Sequence, residues 1–589
     1  MNSEWSLDAL YAGYDDPRYG EDVKRLDELC ASFNALVNEF DKHSAVDNLV
    51  ELLTLKEGID EVGAKLFIYS SLRTSANTRD AEGASWSGKL MSKMSSITKA
   101  STAADKYIAG LDNLDELIAS HPMLTEYEYL LSNIKADSKY LLSDDVEEVM
   151  ALYNISGGRA WGNLQSSLTS SVTADFRGEK VNLSAIRNKA YDPDAAVRKE
   201  AYEAELACYE KIEDAVAMAL NSIKLQVINE AKLRGFESPL AQTLHQSKMK
   251  RETLDALIEA MTEYMPKFWE YLRAKAKLLG HKDGMPWYDM FAPVGSLDEQ
   301  FTIEQARDYL LKIFGTFDAD LTEMVRRAFD EAWIDFYPRE GKVGGAFCYG
   351  IQPIKQSRIL TNFDGSFSDV VTLAHELGHA YHNLNIENNR ILNTDYSMPV
   401  AETASTFNEN VIMNAAIADA TDPKVKLGLI ESQLMDATQI ICDIYSRYLF
   451  ETAVFENRRE QLMMPKALCE IMLDAQRKAY GDGLDHNYLH PYMWICKSHY
   501  YRSGLSFYNF PYAFGGLFAR GLYAKYVEEG EAFVDSYKKL LNATTVMSVE
   551  DTAKIAGIDL TDKAFWKMGL ESFARQIDEF VKLAEEIAE

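Results

Sequence analysis

The sequence is poor in cysteine and has no paired cysteine motif. Six cysteines are scattered over 589 residues, and none has CxxC spacing. Disulfide frameworks need dense, regularly placed cysteines, so that class of protein is excluded. Isolated cysteines are typical of free thiols in a reducing compartment. The pattern therefore predicts a cytoplasmic protein whose cysteines are buried and unreactive.

Long hydrophobic runs are also absent. No window approaches the ~20 consecutive apolar residues that a membrane-spanning helix needs. Residues 1–13 show neither the basic segment nor the apolar stretch of a signal peptide. The sequence therefore predicts no membrane partner and no export by that route.

Positive charge is scarce. The 61 lysines and arginines face 91 aspartates and glutamates, which gives a formal net charge of −30. Nucleic-acid binding rests on a basic surface, because the phosphate backbone is the main source of affinity. This composition predicts that nucleic acid is not a partner.

Proline is rare, with 14 residues, and apolar residues recur at helical spacing over long stretches. We predict a mostly α fold, with an amino-terminal helical domain over 1–195 and a catalytic domain over 196–589. Residues Ala195 to Leu233 contain no proline and predict one long helix. Further amphipathic patterns cover 47–76, 250–280, 301–332, 426–458 and 530–545, and an apolar stripe contains Val23, Leu26, Leu29, Phe33, Leu36, Val37 and Phe40.

Two places predict β-structure. Val172–Phe176 and Lys180–Leu183 flank the turn Arg177-Gly178-Glu179, which predicts a small hairpin. Residues 342–364 are rich in glycine, aromatic and β-branched residues and predict one or two short strands. Within them, Gly344, Gly345 and Ala346 either bind an extended peptide by strand addition or form an ordinary tight strand.

The most informative segment is His375-Glu376-Leu377-Gly378-His379, in an otherwise apolar helical pattern that follows a Ser366/Asp369 capping box. Residues four apart lie on one helix face, so His375 and His379 can bind one cation while Glu376 stands beside it as general base. Catalytic zinc has three protein ligands and a water, so this pattern predicts one Zn²⁺ per chain and a third ligand downstream.

The third ligand is predicted to be a glutamate on the next helix. The candidates are Glu387, Glu402 and Glu409, and Glu387 follows His379 too closely for a turn and a new helix. Ser397 as N-cap and Pro399 in the first turn predict a helix in which Glu402 binds the metal and Glu409 orients a ligand.

A different zinc-binding motif, HExxHxxGxxH, is excluded. His382 and Asn385 occupy the positions that would be glycine and histidine. His382 falls near the same face as His375. It is a ligand, a residue that supports a ligand, or a core histidine, and we favour the last two interpretations.

Three stretches resemble the oligopeptidase family that includes thimet oligopeptidase and oligoendopeptidase F. They are GKVGGAFC with SRILTNFDGSFSDVVTLAHELGHAYH, then AETASTFNE, then HYYRSGLSFYNFPYAFG at 499–515. The resemblance implies a two-lobed helical body around a deep substrate channel, with a small sheet beside the zinc helix. It assigns zinc to His375, His379 and Glu402, and the role of acid and base to Glu376.

The resemblance also implies that His499, Tyr508 and Tyr512 donate hydrogen bonds to the substrate carbonyl and the oxyanion. The other interpretation of this segment is aromatic core packing. We call residues 499–515 the histidine–tyrosine loop.

Together these features predict a zinc-dependent oligoendopeptidase that cleaves internal bonds of short unstructured peptides. One alternative is a zinc carboxypeptidase, in which Arg502 or Arg520 would bind the terminal carboxylate. The other is a peptide-binding scaffold that retains an inert helix. Cleavage of peptides blocked at both ends distinguishes the first two enzymes.

Overall fold

The structure is a computed structural model that describes residues 2–295 and 299–588. In this part of the chain it contains 26 α-helices and five short strands. The prediction of a mostly helical fold is confirmed. The chain forms two compact units, of which unit 1 comprises Met1–Lys139, Asp298–Ile412 and Glu528–Gly557, and unit 2 comprises Tyr140–Leu297, Met413–Val527 and Ile558–Glu589.

The division predicted at residue 195 falls inside a segment of unit 2 and stays a prediction. The first helices are α1 Pro17–Val37, α2 Ala45–Ala76, α3 Ala81–Ser95, α4 Thr98–Ala109, α5 Leu114–Ser120, α6 Pro122–Glu126, α7 Glu128–Ser138, α8 Asp144–Ser156, α9 Gly158–Ser171, α10 Leu183–Asn188, α11 Ala195–Glu210, α12 Glu213–Arg234, α13 Pro239–Gln246 and α14 Arg251–Leu278.

The later helices belong partly to unit 1 and partly to unit 2. They are α15 Ile303–Phe314, α16 Ala319–Asp330, α17 Phe367–Ile386, α18 Thr403–Asp419, α19 Pro423–Thr438, α20 Ile444–Arg458, α21 Pro465–Tyr480, α22 Met493–Cys496, α23 Phe510–Glu529, α24 Glu531–Ala543, α25 Val549–Lys554 and α26 Lys563–Ala588.

The strands form two separate sheets. They are β1 Thr173–Phe176, β2 Glu179–Asn182, β3 Ile334–Asp335, β4 Phe347–Ile351 and β5 Gln356–Leu360. β1 and β2 form the predicted hairpin, whose turn needs a positive φ at both Arg177 (52°) and Gly178 (87°). In the second sheet the order is β3-β5-β4, with β3 parallel and β4 antiparallel to β5.

The amino-terminal helices of unit 1 share one apolar core. Leu26 and Phe33 from the predicted stripe are fully buried in this core. The other residues of the stripe are partly buried and pack against it. The side chain of Ile351, on β4, belongs to the same core. The sheet that precedes the histidine helix is therefore fixed to the helical body of unit 1.

In unit 2, the longest helix α14 packs against the carboxy-terminal helix α26. Aromatic rings fill the contact: the Phe268 and Phe573 centroids are 6.2 Å apart, and the Tyr271 and Phe580 centroids are 5.1 Å apart. Burial of such rings is a large source of packing energy.

The single helix predicted from Ala195 to Leu233 is wrong, because the chain breaks between α11 and α12. At the break Ile212 leaves helical geometry with φ −123° and ψ −4°, and its side chain is buried. The Nζ of Lys211 donates a 2.7 Å hydrogen bond to the Thr173 carbonyl. No proline or glycine stands at this break.

Candidate active site

Helix α17 carries the histidine motif, and its start follows the predicted capping box. The Asp369 backbone N–H donates to Ser366 Oγ at 3.2 Å, and the Ser366 N–H donates to Asp369 Oδ2 at 3.2 Å. The apolar residues Val370, Leu373 and Leu377 are fully buried. Burial of one face fixes the rotation of α17 and so decides where its histidines point.

The two histidines and Glu402 meet at one point in unit 1. Glu402 Oε2 lies 3.3 Å from Nε2 of His375 and 3.3 Å from Nε2 of His379. One ligand atom from each residue lies within 4.8 Å of the others. Two imidazole nitrogens and a carboxylate oxygen form the donor set that catalytic zinc takes from a protein.

Glu402 stands directly before α18. Its carbonyl accepts the Thr406 N–H at 3.1 Å, and its carboxylate accepts the Ser405 hydroxyl at 2.7 Å. Ser397 does not cap α18, which corrects the sequence prediction. It precedes a 3₁₀ turn, Met398–Val400, and Pro399 lies in that turn.

A glycine that the sequence analysis did not single out brings α17 and α18 together. A Cβ on Gly378 would lie 2.5 Å from the Ala404 carbonyl oxygen and 2.5 Å from the Ser405 Cα. These are backbone atoms that cannot rotate away. The glycine inside the HELGH motif was the available signal, because a helical glycine often marks close backbone approach.

The charges of this cluster favour a bound cation. Burial lowers the pKa of His375, but hydrogen bonds to Glu402 and Glu409 outweigh it and raise the pKa to about 10. Burial raises the pKa of Glu402, yet the hydrogen bonds from His375 and His379 bring it well below its usual range. The carboxylates thus stabilise positive charge between the imidazoles, and a divalent cation fits this donor set.

Glu376 is buried beside the cluster. Its Oε2 atom has no hydrogen-bond partner in the described part of the chain. Burial raises the pKa of Glu376, although the charges of His375 and His379 oppose that shift. A buried carboxylate with a free oxygen and a raised pKa is suited to take up a proton.

The two other candidate glutamates, Glu409 and Glu387, lie in different surroundings. Glu409 Oε1 accepts the Nδ1–H of His375 at 2.5 Å, so this side chain lies where it can orient the histidine. The Glu387 carboxylate is not in the metal-ligand group and lies 4.0 Å from Lys355 Nζ.

His382 is fully buried, outside the metal-ligand group. Its ring stacks on Tyr396 with centroids 4.3 Å apart and 5° between the planes, and its Nε2 lies 2.8 Å from Thr544 Oγ1. Burial and the charge of His379 lower its pKa to about 3. A neutral, stacked histidine supports the segment that leads to Glu402.

The predicted small sheet lies next to α17. Asn383 Nδ2 donates to Ser357 Oγ on β5 at 3.2 Å, and a Cβ on Gly350 of β4 would lie 2.6 Å from the Asn383 side chain. Among the described strands β4 pairs with β5 alone, so its outer edge is open.

Gly344, Gly345 and Ala346 come directly before β4, in a bend rather than in the strand. Both glycines are exposed, and a Cβ on either would meet nothing within 4 Å. Gly345 has φ +80°, and Asn362 Nδ2 donates to its carbonyl at 2.7 Å. This geometry leaves room for another backbone at the approach to β4.

In unit 2, the histidine–tyrosine loop brings its three predicted residues together. The His499 and Tyr508 centroids are 4.9 Å apart, the Tyr508 and Tyr512 centroids 5.1 Å, and the His499 and Tyr512 centroids 6.0 Å. Tyr512 lies in the first turn of α23 and is 37% exposed, unlike the core tyrosines Tyr500 and Tyr501. The loop thus contains both aromatic core residues and accessible phenols.

Burial lowers the pKa of His499 to about 4, together with the positive charges of Arg447, Arg502 and Lys497. Burial and Tyr508 raise the pKa of Tyr512 to about 12. At neutral pH both groups are therefore uncharged, and each can donate a hydrogen bond.

The buried charges that act on the pKa of His499 escaped the sequence analysis. A π-helical turn, Gln439–Asp443, interrupts the helical pattern predicted over 426–458 and positions the buried Asp443. The Asp443 carboxylate pairs with Arg447 and lies 3.7 Å from Lys497 Nζ. π turns are frequent at functional sites but have no simple sequence signal.

The two arginines proposed for an exopeptidase differ in accessibility. Arg502 is exposed on the histidine–tyrosine loop. Arg520 is 1% exposed, with its guanidinium 4.4 Å from the Phe573 ring centroid. Of the pair, only Arg502 is open to a substrate carboxylate.

The mostly helical fold and the group formed by two histidines of α17 and the nearby Glu402 are typical of a metallopeptidase. The sequence matches peptidase family M3 over residues 189–572 and the family description "Oligopeptidase F" over residues 110–173. The first match spans more than half of the chain, which therefore belongs to peptidase family M3. This confirms the resemblance found in the three sequence stretches and makes the chain a metallopeptidase.

Relatives match over nearly the whole length. Group B oligopeptidase PepB of Streptococcus agalactiae is 25% identical over 550 residues, which are 91% of this chain and 90% of the relative. Oligopeptidase PepF of Bacillus subtilis is 23% identical over 597 residues, 98% of this chain and 87% of the relative.

Solved structures show the same fold. A protein from Chlamydophila abortus superposes with a TM-score of 0.85 at 20% identity, covering 99% of this chain and 98% of the other. Oligoendopeptidase-F from Enterococcus faecium gives a TM-score of 0.70 at 18% identity, covering 96% of this chain and all of the other. No helix within residues 2–295 and 299–588 is both long and apolar enough to cross a bilayer.

Proposed function

We propose that the chain is a zinc-dependent oligoendopeptidase that hydrolyses internal bonds of short, unstructured peptides. One observation carries the proposal: His375, His379 and Glu402 meet within 4.8 Å, beside the buried Glu376. The site would hold one zinc ion per chain. The charge balance of the two imidazoles and their carboxylate neighbours supports this assignment.

When bound, zinc supplies Lewis acidity, which lowers the pKa of a water towards 7 and polarises the peptide carbonyl. Glu376 takes the proton of the attacking water on its free carboxylate oxygen and passes it to the leaving amine. The raised pKa of Glu376 brings it nearer to neutrality, where a single group works best as base and then acid. Glu409 holds the His375 ring through its Nδ1–H.

Two further elements would bind the peptide itself. The open edge of β4 and the segment Gly344, Gly345 and Ala346, whose two glycines are exposed, would bind the substrate as an added strand through its backbone rather than its side chains. The neutral His499 and the phenols of Tyr508 and Tyr512 would donate hydrogen bonds to the carbonyl oxygen and the oxyanion.

We also propose that the two lobes enclose a channel which admits short peptides and excludes folded proteins. The names of the relatives, oligopeptidase and oligoendopeptidase, support this substrate class. A cytoplasmic location remains part of the proposal, supported by six free cysteines without a disulfide.

The test is the mass analysis of products from a ten-residue peptide blocked at both termini. An endopeptidase cuts it internally, and the proposal expects two fragments. A carboxypeptidase would leave the blocked peptide intact and cut its free-acid counterpart, in which case Arg502→Gln should abolish cleavage. A scaffold would bind both peptides and cut neither.

A further inference from the structure

A buried ion pair links two helices of unit 2. Lys224 of α12 and Glu451 of α20 are both buried, and Lys224 Nζ donates to Glu451 Oε1 at 2.6 Å. A pair of this kind adds little net stability over packed apolar residues, because both charges lose their hydration. Stability alone therefore does not account for two charges at this place.

The second carboxylate oxygen of Glu451 binds the histidine–tyrosine loop. Asn509 Nδ2 donates to Glu451 Oε2 at 3.0 Å, and Asn509 Oδ1 accepts the Phe510 N–H at 2.6 Å. A carboxylate can only accept and a backbone N–H can only donate, so the amide of Asn509 has one possible orientation. The side chain of Asn509, which is 1% exposed, is thus fixed at both ends.

The backbone of Asn509 connects this anchor to two tyrosines. Its N–H donates to the Phe507 carbonyl at 2.6 Å, across Tyr508, and its carbonyl accepts the Tyr512 N–H at 3.0 Å in the first turn of α23. Every polar atom of Asn509 therefore has a partner. A shift of this residue would move the backbone that carries both phenols.

The ion pair also reaches the other neighbour of Tyr508. Lys224 Nζ lies 4.8 Å from the Phe455 ring centroid, and the Phe455 ring stacks on Phe507 with centroids 5.4 Å apart. Phe507 is buried and has φ 51°, a left-handed conformation that strains a bulky residue and persists only where surrounding contacts hold it. Phe507 and Asn509 are thus both fixed in the core, and the half-buried Tyr508 stands between them.

We infer that Lys224, Glu451 and Asn509 are positioning residues that set the hydrogen-bond donors of Tyr508 and Tyr512 for the reaction. The inference rests on the proposed function, which assigns both phenols to the carbonyl oxygen and the oxyanion. Oxyanion donors act by being held in place before charge develops. Glu451 Oε2 is the acceptor that holds Asn509, and the charge of Lys224 fixes that carboxylate. All three side chains are buried, so they act through the tyrosines rather than on the substrate.

Two double variants separate the acceptor from the charges. Lys224→Met/Glu451→Gln removes both charges but keeps an amide oxygen that can accept from Asn509 Nδ2. Lys224→Met/Glu451→Met removes the charges and the acceptor together. Asn509→Ala removes the donor and keeps the ion pair. Asn221→Ala is the matched control, because Asn221 is a buried asparagine of the same helix as Lys224 whose amide binds the carbonyl and N–H of Met463 instead of the loop.

Turnover of a quenched, blocked ten-residue peptide is measured on the zinc-loaded chain. In Asn509→Ala and in the double variant without the acceptor, kcat and kcat/KM should fall together by about 10²-fold, with KM changed less than about threefold. Oxyanion contacts are made only in the transition state, and a small misplacement of their donors is enough to lose them. The double variant that keeps the acceptor should stay within about threefold of the wild type. Asn221→Ala should lower the melting temperature and leave kcat unchanged.

A second readout does not depend on catalysis. The His499 ring lies 4.9 Å from the Tyr508 ring, and burial, with the charges of nearby cations, lowers the pKa of His499 to about 4. Displacement of Tyr508 exposes this ring to water, so NMR of ¹³C-labelled histidines should show its pKa rising towards about 6.5 in Asn509→Ala and in the variant without the acceptor. The pKa should stay at about 4 in the other two variants. A loss of stability alone would not move it.

Equal kcat in the two double variants, wild-type kcat in Asn509→Ala, or an unchanged His499 pKa in Asn509→Ala would overturn the inference. So would an equal loss of kcat in Asn221→Ala and Asn509→Ala, because that would report general destabilisation. If a double variant does not fold, the comparison of the two asparagine variants decides. Failure of the wild-type chain to cut the blocked peptide would instead sink the proposed hydrolysis, while the NMR comparison still decides whether Asn509 holds Tyr508 in place.

Discussion

Glu409 accepts the Nδ1–H of His375 at 2.5 Å, and the Nε2 atom of the same ring lies 3.3 Å from the Glu402 carboxylate. Both nitrogens of one histidine are thus fixed by acidic side chains on α18 or directly before it. Such a carboxylate partner fixes the ring orientation and raises the basicity of a metal ligand. Removal of Glu409 and removal of Glu402 should therefore affect zinc binding differently.

Glu409→Gln should keep the zinc site and weaken zinc affinity by about 10- to 100-fold, because an amide orients the ring less strongly than a carboxylate. Competition with a chelator of known affinity measures the change. Glu387→Gln is the matched control, since this side chain is outside the metal-ligand group, and its affinity should match the wild type. An unchanged affinity in Glu409→Gln would remove the positioning role.

Glu402→Ala should lose stoichiometric zinc, because one of three protein ligands is gone. Atomic absorption of the dialysed protein gives the metal content. A full zinc complement in Glu402→Ala, together with its loss in Glu387→Ala or Glu409→Ala, would move the third ligand to that residue.

Glu376→Gln should keep zinc and lower kcat by at least about 10²- to 10⁴-fold, since the side chain can no longer accept a proton. Metal content and turnover are measured on the same preparation. Substantial residual hydrolysis in a chain that has bound zinc would show that another group is the base.

Gly378→Ala should force α17 and α18 apart, because the added methyl meets backbone atoms at 2.5 Å. Overpacking of this kind costs about 1–3 kcal/mol, and here it should also reduce zinc occupancy. Gly88→Ala is the control, as Gly88 is helical, exposed and without neighbours within 4 Å of a Cβ. Equal zinc content and melting temperature in both variants would refute the close-approach argument.

Arg502→Gln should raise the pKa of His499 from about 4, because a positive charge that disfavours the protonated ring is removed. Titration of ¹³C-labelled histidines by NMR follows this ring, which His499→Gln identifies. Arg459→Gln, another exposed arginine of unit 2, should leave the pKa unchanged. A pKa that falls or stays constant in Arg502→Gln would contradict the assignment.

The same shift has a consequence for stability. Free histidine has a pKa of about 6.5, so the unfolded chain binds more protons than the folded chain between pH 6.5 and 4. The contribution of neutral His499 to the free energy of unfolding is fully present above pH 6.5. It is lost as the pH falls from 6.5 to 4. His499→Gln should therefore show a smaller loss of stability over this range than the wild type.

Local signals in the sequence predicted much of the site. The capping box of Ser366 and Asp369 and the apolar face of α17 depend on residues within two turns, and both are confirmed. The choice of Glu402 rested on the chain length needed for a turn before the next helix, and the structure brings it to the histidines.

Features that depend on distant contacts could not be predicted. At the break of Lys211 and Ile212, the Lys211 side chain contacts the Thr173 carbonyl, which is remote in sequence. The π turn that contains Asp443 leaves no pattern in the residues. Glycine is required at position 378 only because the α18 backbone lies close to it in the folded structure.

Hydrolysis of a quenched ten-residue peptide, blocked at both ends, tests the central claim most directly. The assay is run on the purified chain, after treatment with a chelator, and after zinc is restored, with fragments identified by mass. The account predicts internal cleavage that the chelator abolishes and one equivalent of zinc restores. Internal cleavage that persists in the zinc-free chain would contradict it.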